Sequence, residues 1–256
     1  MSDFILVIDE GTTSTRAIAF DKDLHAGPVA QSEIGLTFPN DGWVEQNPED
    51  IWSHTLKVCR RVIEDCGGVD KIAAIGIANQ RETTLLWNKD TGEAYGPAII
   101  WQDRRTAPFC AELAKSGVAE EVQALSGLLL DPYFSATKIR WILDNIPGAR
   151  DAAEAGKAAF GTVDSFLLAR LTSGREHSTD VTNASRTMIY DIHKGDWCPE
   201  LSDLFGVPRA MLPDVLDCAA DFGVTDADIF GAAIPIMGVA GDQQAPGGID
   251  GGGMER

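Results

Sequence analysis

Two polar segments, one near each end of the chain, contain the residue types that phosphoryl transfer needs. The first, Asp9-Glu10-Gly11-Thr12-Thr13-Ser14-Thr15-Arg16, lies between apolar runs at 4–8 and 17–20. This pattern predicts two strands joined by a tight turn, whose backbone N–H groups and hydroxyls could hold phosphate oxygens. The second, Gly241-Asp242-Gln243-Gln244-Ala245, follows the apolar run 234–240 and offers a carboxylate that could accept a proton. Together the two segments indicate phosphoryl transfer from a nucleotide to a hydroxyl.

The elements that must position these segments predict an α/β or α+β domain. Asn47 is the expected N-cap of the first helix, because Pro48 suits a first helical position. Ser135 is the expected cap of a later helix. The run 72–77 is apolar throughout and predicts a strand buried on both faces. Further strands are expected at 83–87, 98–101 and 234–239, and further helices at 166–171 and 199–205. The helical stripe expected to be buried in the first helix is Trp52, Leu56, Cys59, Ile63 and Cys66.

Length and composition exclude several classes of function. The chain has 256 residues, enough for one large domain or two small ones. Its formal net charge of −18 argues against binding to nucleic acid or to anionic lipid. No apolar stretch approaches the roughly 20 residues that span a bilayer, and no secretory signal is visible, so cytoplasm is the expected location. The five cysteines are expected to be free thiols, and the four histidines form no metal-ligand pattern.

Several further motifs follow one another along the chain. They are Gly76-Ile77-x-Asn79-Gln80-Arg81-Glu82-Thr83, Trp101-Gln102-x-Arg104-Arg105, Asp131-Pro132-Tyr133-Phe134-Ser135-x-x-Lys138-Ile139-x-Trp141, Gly161-Thr162-Val163-Asp164 and Thr182-Asn183-Ala184-Ser185-Arg186-Thr187-Met188. With the two end segments, this ordered set resembles the FGGY family of carbohydrate kinases, and in particular its members that phosphorylate glycerol. The resemblance runs from about residue 4 to residue 245.

The resemblance implies an α/β fold of the actin-like, ribonuclease H-like ATPase type, with a mixed central sheet and flanking helices. It also implies ATP and Mg²⁺ as cofactors and glycerol 3-phosphate as product. Asp242 is the implied catalytic base, and Asp9 would lie near Mg²⁺, directly or through water. The implied phosphate-binding residues are Thr12, Thr13, Ser14 and Arg16. The implied glycerol-binding residues are Arg81, Glu82, Trp101, Tyr133, Asp242 and Gln243.

Two departures from the family pattern concern the candidate site and the domain organisation. Glu10 stands where glutamine is usual, and we expect it either to face solvent or to help hold Mg²⁺. Residues 1–245 correspond to the N-terminal family domain, and the glycine-rich residues 246–256 are expected to be a disordered tail. We expect the C-terminal family domain to be absent, the isolated chain to be a weak kinase and an apolar face near the strands to be exposed. A homo-oligomer is left open.

Other functions remain compatible with these residues. Taken singly, the early turn could be a plain hairpin, Arg81-Glu82 a surface pair and Trp101 a core residue. Another FGGY kinase acting on a pentulose or hexulose is the nearest enzymatic alternative. A fragment that binds glycerol without turnover, and an actin-like structural ATPase, are alternatives from other classes.

Overall fold

The computed structural model describes residues 3–244, in which α-helices flank a mixed central sheet. Within that range the strands are β1 (Phe4–Glu10), β2 (Ser14–Asp21), β3 (Ala26–Glu33), β4 (Glu45–Gln46), β5 (Ile72–Asn79), β6 (Leu85–Asn88), β7 (Ala98–Ile99), β8 (Ala158–Gly161), β9 (Ser178–Asp180), β10 (Tyr190–Asp191), β11 (Asp196–Trp197), β12 (Asp214–Leu216) and β13 (Ile236–Gly241). The helices are α1 (Pro48–Asp65), α2 (Ala107–Lys115), α3 (Ala119–Ser126), α4 (Ser135–Asn145), α5 (Ala149–Glu154), α6 (Val163–Leu171), α7 (Val181–Ala184), α8 (Pro199–Phe205) and α9 (Ala227–Phe230).

The central sheet has the strand order β13-β5-β1-β2-β3. β1, β2 and β3 pair antiparallel in succession, whereas β5 and β13 run parallel to β1. The carboxyl ends of β1, β5 and β13 therefore meet at one edge of the sheet.

The predicted strands at both polar segments are confirmed. β3 was not predicted, because it carries Gly27 and Pro28 and has no apolar alternation; proline is tolerated there because β3 is an edge strand.

Helix α1 covers one face of the sheet. The Asn47 side chain accepts a hydrogen bond from the Glu49 N–H, which confirms the predicted N-cap. Trp52 and Leu56 lie only half-buried at the edge of the predicted stripe. The stripe is thus rotated slightly from its predicted position, and its most deeply buried members are Ile51, Thr55, Val58, Cys59 and Val62.

Two sequence-based expectations about these elements are wrong. β5 is not buried on both faces: Ala73 is exposed and Ala74 is half-buried, because only one face of this strand packs into the core. Ser135 does not cap α4. The cap position is Phe134, and the Ser135 hydroxyl instead donates to the Glu82 carbonyl at 3.2 Å.

A second apolar cluster packs beside the sheet and supports α4. It is built around Ile139, Ile142, Phe160 and Leu201, which come from α4, β8 and α8. Because α4 is anchored in this cluster, Tyr133 just before it is held beside the polar segments, where its ring packs against Phe134.

The remaining sequence predictions concern thiols, membranes and the tail. All five cysteines are free, as predicted. None of the helices within 3–244 has the length and apolar character needed to cross a bilayer. The predicted disordered tail, 246–256, lies outside the described residues.

Candidate active site

The polar segments predicted to do chemistry converge at the carboxyl edge of the parallel strands. The turn after β1, the Gln80–Glu82 segment after β5 and Asp242 after β13 all begin where those strands end. In open α/β sheets, ligands bind in the crevice outside the carboxyl ends of the strands. The topology therefore brings together residues that are far apart in sequence.

A cavity of about 250 Å³ lies at this edge. All six residues predicted to bind the polyol line it, together with Thr12 from the turn at 11–14, the phosphate turn, which was predicted to hold phosphate oxygens. The lining also includes Gln80, to which the sequence assigned no role. The full lining is Thr12, Gln80, Arg81, Glu82, Trp101, Tyr133, Asp242 and Gln243.

Arg81 and Asp242 lie next to each other on the cavity wall. Their closest atoms, Arg81 Nε and Asp242 Oδ1, are 3.6 Å apart, which is an ion pair rather than a short hydrogen bond. The Arg81 side chain is only 10% exposed, and its Nε has no hydrogen-bond partner among residues 3–244. A buried guanidinium donor beside a half-exposed carboxylate suits a ligand hydroxyl, which can accept from one and donate to the other.

Glycine at position 241 is needed for this approach of Arg81. A Cβ atom built on Gly241 would lie 2.3 Å from Arg81 Cδ and 2.7 Å from Arg81 Cγ. Any larger residue at the end of β13 would therefore push the arginine out of its position over the cavity.

Glu82 is held in place by Arg186, a residue to which the sequence assigned no role. Arg186 Nε donates to Glu82 Oε1 at 2.7 Å, and the Glu82 side chain is almost fully buried. Burial raises the pKa of Glu82, and the Arg186 and Arg81 charges oppose that rise. Glu82 has φ +63°, a strained conformation for a residue with a side chain. The strained backbone and the arginine together fix where the carboxylate points. Arg186 belongs to the motif at 182–188, and its place in that motif is the one feature of the sequence that could have indicated its role.

Trp101 and Tyr133 form the aromatic wall of the cavity. Their ring centroids are 5.5 Å apart with an interplanar angle of 58°. Trp101 Nε1 donates to Thr12 Oγ1 at 2.9 Å, so the aromatic wall and the turn after β1 are directly joined. Behind this wall, the fully buried Lys138 donates from Nζ to the Tyr133 carbonyl at 2.6 Å. Burial lowers the pKa of Lys138 to about 7.

The phosphate turn is closed by a Gly11 N–H bond to the Ser14 carbonyl at 2.9 Å. Of its four predicted phosphate ligands, Thr12 alone lines the cavity; Thr13 is exposed, and Ser14 Oγ accepts from Gln31 Nε2. Arg16 lies beyond the turn in β2, and its Nε is buried without a hydrogen-bond partner within the described range.

Two amide side chains support the turn from below. Gln46 Nε2 donates to the Thr12 carbonyl at 2.6 Å, and Gln80 Nε2 donates to the Gly11 carbonyl at 3.2 Å. Gln80 also bonds to Gln46 Oε1 at 3.1 Å. Sequence reasoning missed Gln46, which lies in a two-residue strand and outside every quoted motif.

Asp9 and Glu10 point to opposite faces of β1, as successive strand residues must. Asp9 lies directly across from Arg16 in the β1–β2 register. The one group of three potential metal ligands found among the described residues is Asp21, Asp23 and His25 in the exposed β2–β3 turn. Within residues 3–244, Asp9 therefore does not belong to such a group of protein ligands. Mg²⁺ does not need one when it is held mainly by phosphate oxygens.

Glu10 does not face solvent, so that expectation is wrong. Its side chain is fully buried towards α1, where Thr55 Oγ1 donates to Glu10 Oε2 at 3.0 Å. Burial raises the pKa of Glu10 from 4.5 to about 8. A protonated carboxyl has one donor and one acceptor, much as a glutamine amide does, which explains how glutamate can occupy this position.

Arg105, although part of a quoted motif, has a structural role outside the cavity. It is fully buried between Trp43 and Trp141, with its guanidinium carbon 3.9 Å and 4.5 Å from the two ring centroids. Asp103 and Glu45 pair with its charge at 2.8 Å and 2.7 Å. This buried cluster anchors the segment that carries Trp101.

Comparison with known proteins gives a consistent result. The sequence model for the FGGY family of carbohydrate kinases, N-terminal domain, matches residues 4–246. A glycerol kinase from Marinomonas sp. (strain MWYL1) is 58% identical over 96% of this chain and 50% of its own length. Glycerol kinase 1 from Pseudomonas aeruginosa is also 58% identical, with the same coverage of both chains. This chain thus spans about half the length of the curated relatives it matches.

The fold is shared with solved structures. A crystal structure of Plasmodium falciparum glycerol kinase with ADP superposes with a TM-score of 0.90 at 31% identity, covering 94% of this chain and 49% of that one. These likenesses confirm the predicted α/β fold of the actin-like, ribonuclease H-like type.

Proposed function

The chain belongs to the FGGY family of carbohydrate kinases, and from that premise we propose that its cavity binds glycerol for ATP-dependent phosphorylation to glycerol 3-phosphate. The observation that carries this proposal is the convergence of the six polyol residues around one cavity that adjoins Thr12. A cavity of about 250 Å³ suits a small molecule, since pockets for drug-sized ligands usually have about 300–1,000 Å³.

Each part of a triol has a matching group in the cavity. Its hydroxyls both donate and accept, so they need charged donors and acceptors in fixed positions. Arg81 supplies donors, and Glu82 and Asp242 supply acceptors. Trp101 and Tyr133 cover the apolar carbon edge. Because Arg186 fixes the direction of the Glu82 carboxylate, the cavity is preorganised for this pattern of hydroxyls.

The groups that would face the phosphates fit a nucleotide and a magnesium ion. Gly11 to Ser14 form a tight turn with hydroxyl side chains, and Arg16 brings a buried guanidinium donor to the same end of β2. Asp9 offers one carboxylate, which matches Mg²⁺ held by one or two carboxylates together with phosphate oxygens. ATP, when bound, supplies the γ-phosphoryl group.

Asp242 is the proposed catalytic base. Its carboxylate accepts the proton of the attacking hydroxyl as the new oxygen–phosphorus bond forms and the bond to the leaving ADP breaks. Arg81 holds the Asp242 carboxylate and the substrate hydroxyl in one place, which is the positioning on which phosphoryl transfer depends.

A substrate panel tests this proposal against the pentulose and hexulose alternatives. Glycerol, xylulose (a pentulose) and fructose (a hexulose) are each incubated with the chain, ATP and Mg²⁺, and the products are followed by ³¹P NMR together with binding of each substrate. We expect glycerol to be bound and phosphorylated in preference to the two longer sugars. Preferential binding and phosphorylation of xylulose or fructose would overturn the substrate assignment.

A further inference from the structure

A buried polar cluster lies behind Asp242, outside the cavity. It consists of Asn79, Asp180 and Asn183, all fully buried, and of Thr182 at the beginning of α7. None of the four lines the cavity. Buried polar groups are usually retained only when each finds a partner, so the bonds of this cluster indicate what it holds in place.

The first set of bonds leads to the residue before Asp242. The Gly241 N–H donates to Thr182 Oγ1 at 2.8 Å. Thr182 Oγ1 in turn donates to Asp180 Oδ2 at 2.6 Å. A hydroxyl has a single proton, so once the Asp180 carboxylate takes that proton the lone pairs of Thr182 are free to accept from Gly241. The carboxylate thereby fixes the direction of the bond to Gly241.

The second set of bonds leads to Asp242 itself. The Asp242 N–H donates to the Asn79 carbonyl at 2.9 Å. The side-chain amides of Asn79 and Asn183 bond to each other reciprocally, at 2.9 and 3.0 Å. Asn183 Nδ2 also donates to Asp180 Oδ1 at 2.8 Å. The Gly241 amide is therefore tied directly to a hydroxyl that Asp180 orients, whereas the Asp242 amide is tied to the backbone of Asn79, whose side chain belongs to the same cluster.

Asp180 is the centre of this arrangement. Its two carboxylate oxygens accept from the backbone N–H groups of Thr182 and Asn183, at 2.9 and 3.1 Å, and so cap α7. The Cys218 thiol donates to Oδ2 as well, at 3.1 Å. Because only acceptors are needed at these positions, the carboxylate cannot be exchanged for an amide without placing a donor against other donors.

We propose that Asp180 and Thr182 are positioning residues for the catalytic base: through the bond from the Gly241 N–H to Thr182, they hold the end of β13 so that the Asp242 carboxylate points into the cavity. This inference rests on the proposed function for its effect on catalysis. Its structural part, that Thr182 holds the end of β13, can be tested without any catalysis. The effect on catalysis follows because a general base must lie within about 3 Å of the proton it accepts.

The test replaces the Thr182 hydroxyl with a methyl group of similar shape, in Thr182→Val. Thr182→Ser restores the hydroxyl. Thr172→Val is the matched control, because the hydroxyl of the fully buried Thr172 also accepts from one backbone N–H, that of Glu176, and donates one hydrogen bond, in this case to the Leu168 carbonyl. Thr172 does not line the cavity.

Amide hydrogen exchange of the 256-residue chain gives the first measurement. We expect the Gly241 N–H to exchange at least about tenfold faster in Thr182→Val, because its acceptor is removed. The rate should return to the wild-type value in Thr182→Ser and stay unchanged in Thr172→Val, with the remaining amides reporting that the fold is retained. Unchanged exchange at Gly241 in Thr182→Val would overturn the inference, whatever the enzymatic result.

Kinetics give the second measurement. We expect Thr182→Val to lower kcat by about 10- to 100-fold, as a displaced catalytic group does, while KM for glycerol changes little. Thr182→Ser should recover most of this loss. If the wild-type chain neither binds nor phosphorylates glycerol, the proposed function fails on that result alone, and the exchange rates still decide whether Thr182 holds the end of β13.

Discussion

Six of the residues that line the cavity were predicted from the family resemblance of their motifs to lie in one site, and the structure places each of them on the cavity wall. Arg186, Thr182 and Gln46 received no role from the sequence. Their contacts join residues far apart in the chain, such as Arg186 with Glu82, and such contacts leave no local pattern of spacing or periodicity.

Asp242→Asn tests the catalytic base. Loss of the proton acceptor should reduce kcat by about 10²–10⁴-fold, the usual contribution of general-base catalysis, while glycerol still binds. Steady-state kinetics check this, with the exposed Asp217→Asn as a control for removal of an acidic charge. A kcat within twofold of wild type would show that another group accepts the proton.

Glu10 shows how a residue was misread from the sequence. A carboxylate beside a phosphate turn suggested solvent or a metal, but the alternation of β1 turns Glu10 towards α1 and Asp9 towards the other face. The sequence contained the alternation, but not which face of β1 would be covered by a helix.

Lys138 should make stability depend on pH. Its pKa falls from 10.5 to about 7 on folding, so between these pH values the unfolded chain binds one more proton than the folded chain. The contribution of Lys138 to stability should therefore rise with pH across this window, by up to about 1.4 kcal/mol per pH unit, and this contribution should be absent in Lys138→Met. Urea unfolding from pH 6 to 10 checks it, with exposed Lys115→Met as control. Equal slopes for wild type and Lys138→Met would contradict the prediction.

At the scale of elements, the strands with strong apolar runs were predicted and the edge strand was not. β1 and β13 were recognised because each combines an apolar run with a polar segment at its carboxyl end. β3 lacks such a run, since only alternate residues are half-buried on an edge that one neighbour covers. Its pairing with β2 is set by tertiary contact rather than by local propensity.

The end of β13 gives a prediction at this scale. Gly241→Ala should displace Arg81, because the added Cβ would overlap its side chain. Loss of one charge-assisted bond, worth about 1.5–3 kcal/mol, should weaken glycerol binding about tenfold or more. Gly238→Ala in the same strand is the control, because there the new Cβ would have its nearest contact at 3.6 Å, an ordinary distance. Calorimetric titration compares them; equal affinities would exclude this role for Gly241.

At the scale of the whole molecule, two apolar side chains on one face of the central sheet are exposed to solvent. Ile5 is 40% exposed and Val29 51% exposed, and the β1–β2–β3 register places both on the face opposite α1. Exposed apolar side chains on one face favour association or the binding of apolar dyes. The larger apolar face expected from the sequence stays a prediction.

The double variant Ile5→Thr/Val29→Thr tests that face. We expect less fluorescence from a bound hydrophobic dye and less self-association in sedimentation at equal concentration, because the exposed apolar area is reduced. Leu129→Thr, which alters an isolated exposed residue away from the sheet, should change neither. Unaltered dye binding in the double variant would locate the dye site elsewhere.

Because the molecule is strongly acidic, the few positive groups of the cavity are the ones that can attract an anion. With a formal charge of −18, the molecule repels anions in general, so the proposed binding of nucleotide phosphates requires a few local donors. Arg16 and Arg81 are the cations with buried, unbonded Nε atoms at this edge of the sheet within the described residues. The proposed function therefore depends on these two side chains more than on the overall charge.

Binding of glycerol to the cavity underlies the proposed function, and it can be measured by NMR titration of the 256-residue chain. We expect saturable shifts of the Trp101 indole N–H and of the Asp242 amide, lost in Arg81→Met and retained in Arg61→Met, which removes an exposed arginine on α1. No shift at these groups with glycerol at saturating concentration, or equal shifts in Arg81→Met, would contradict it.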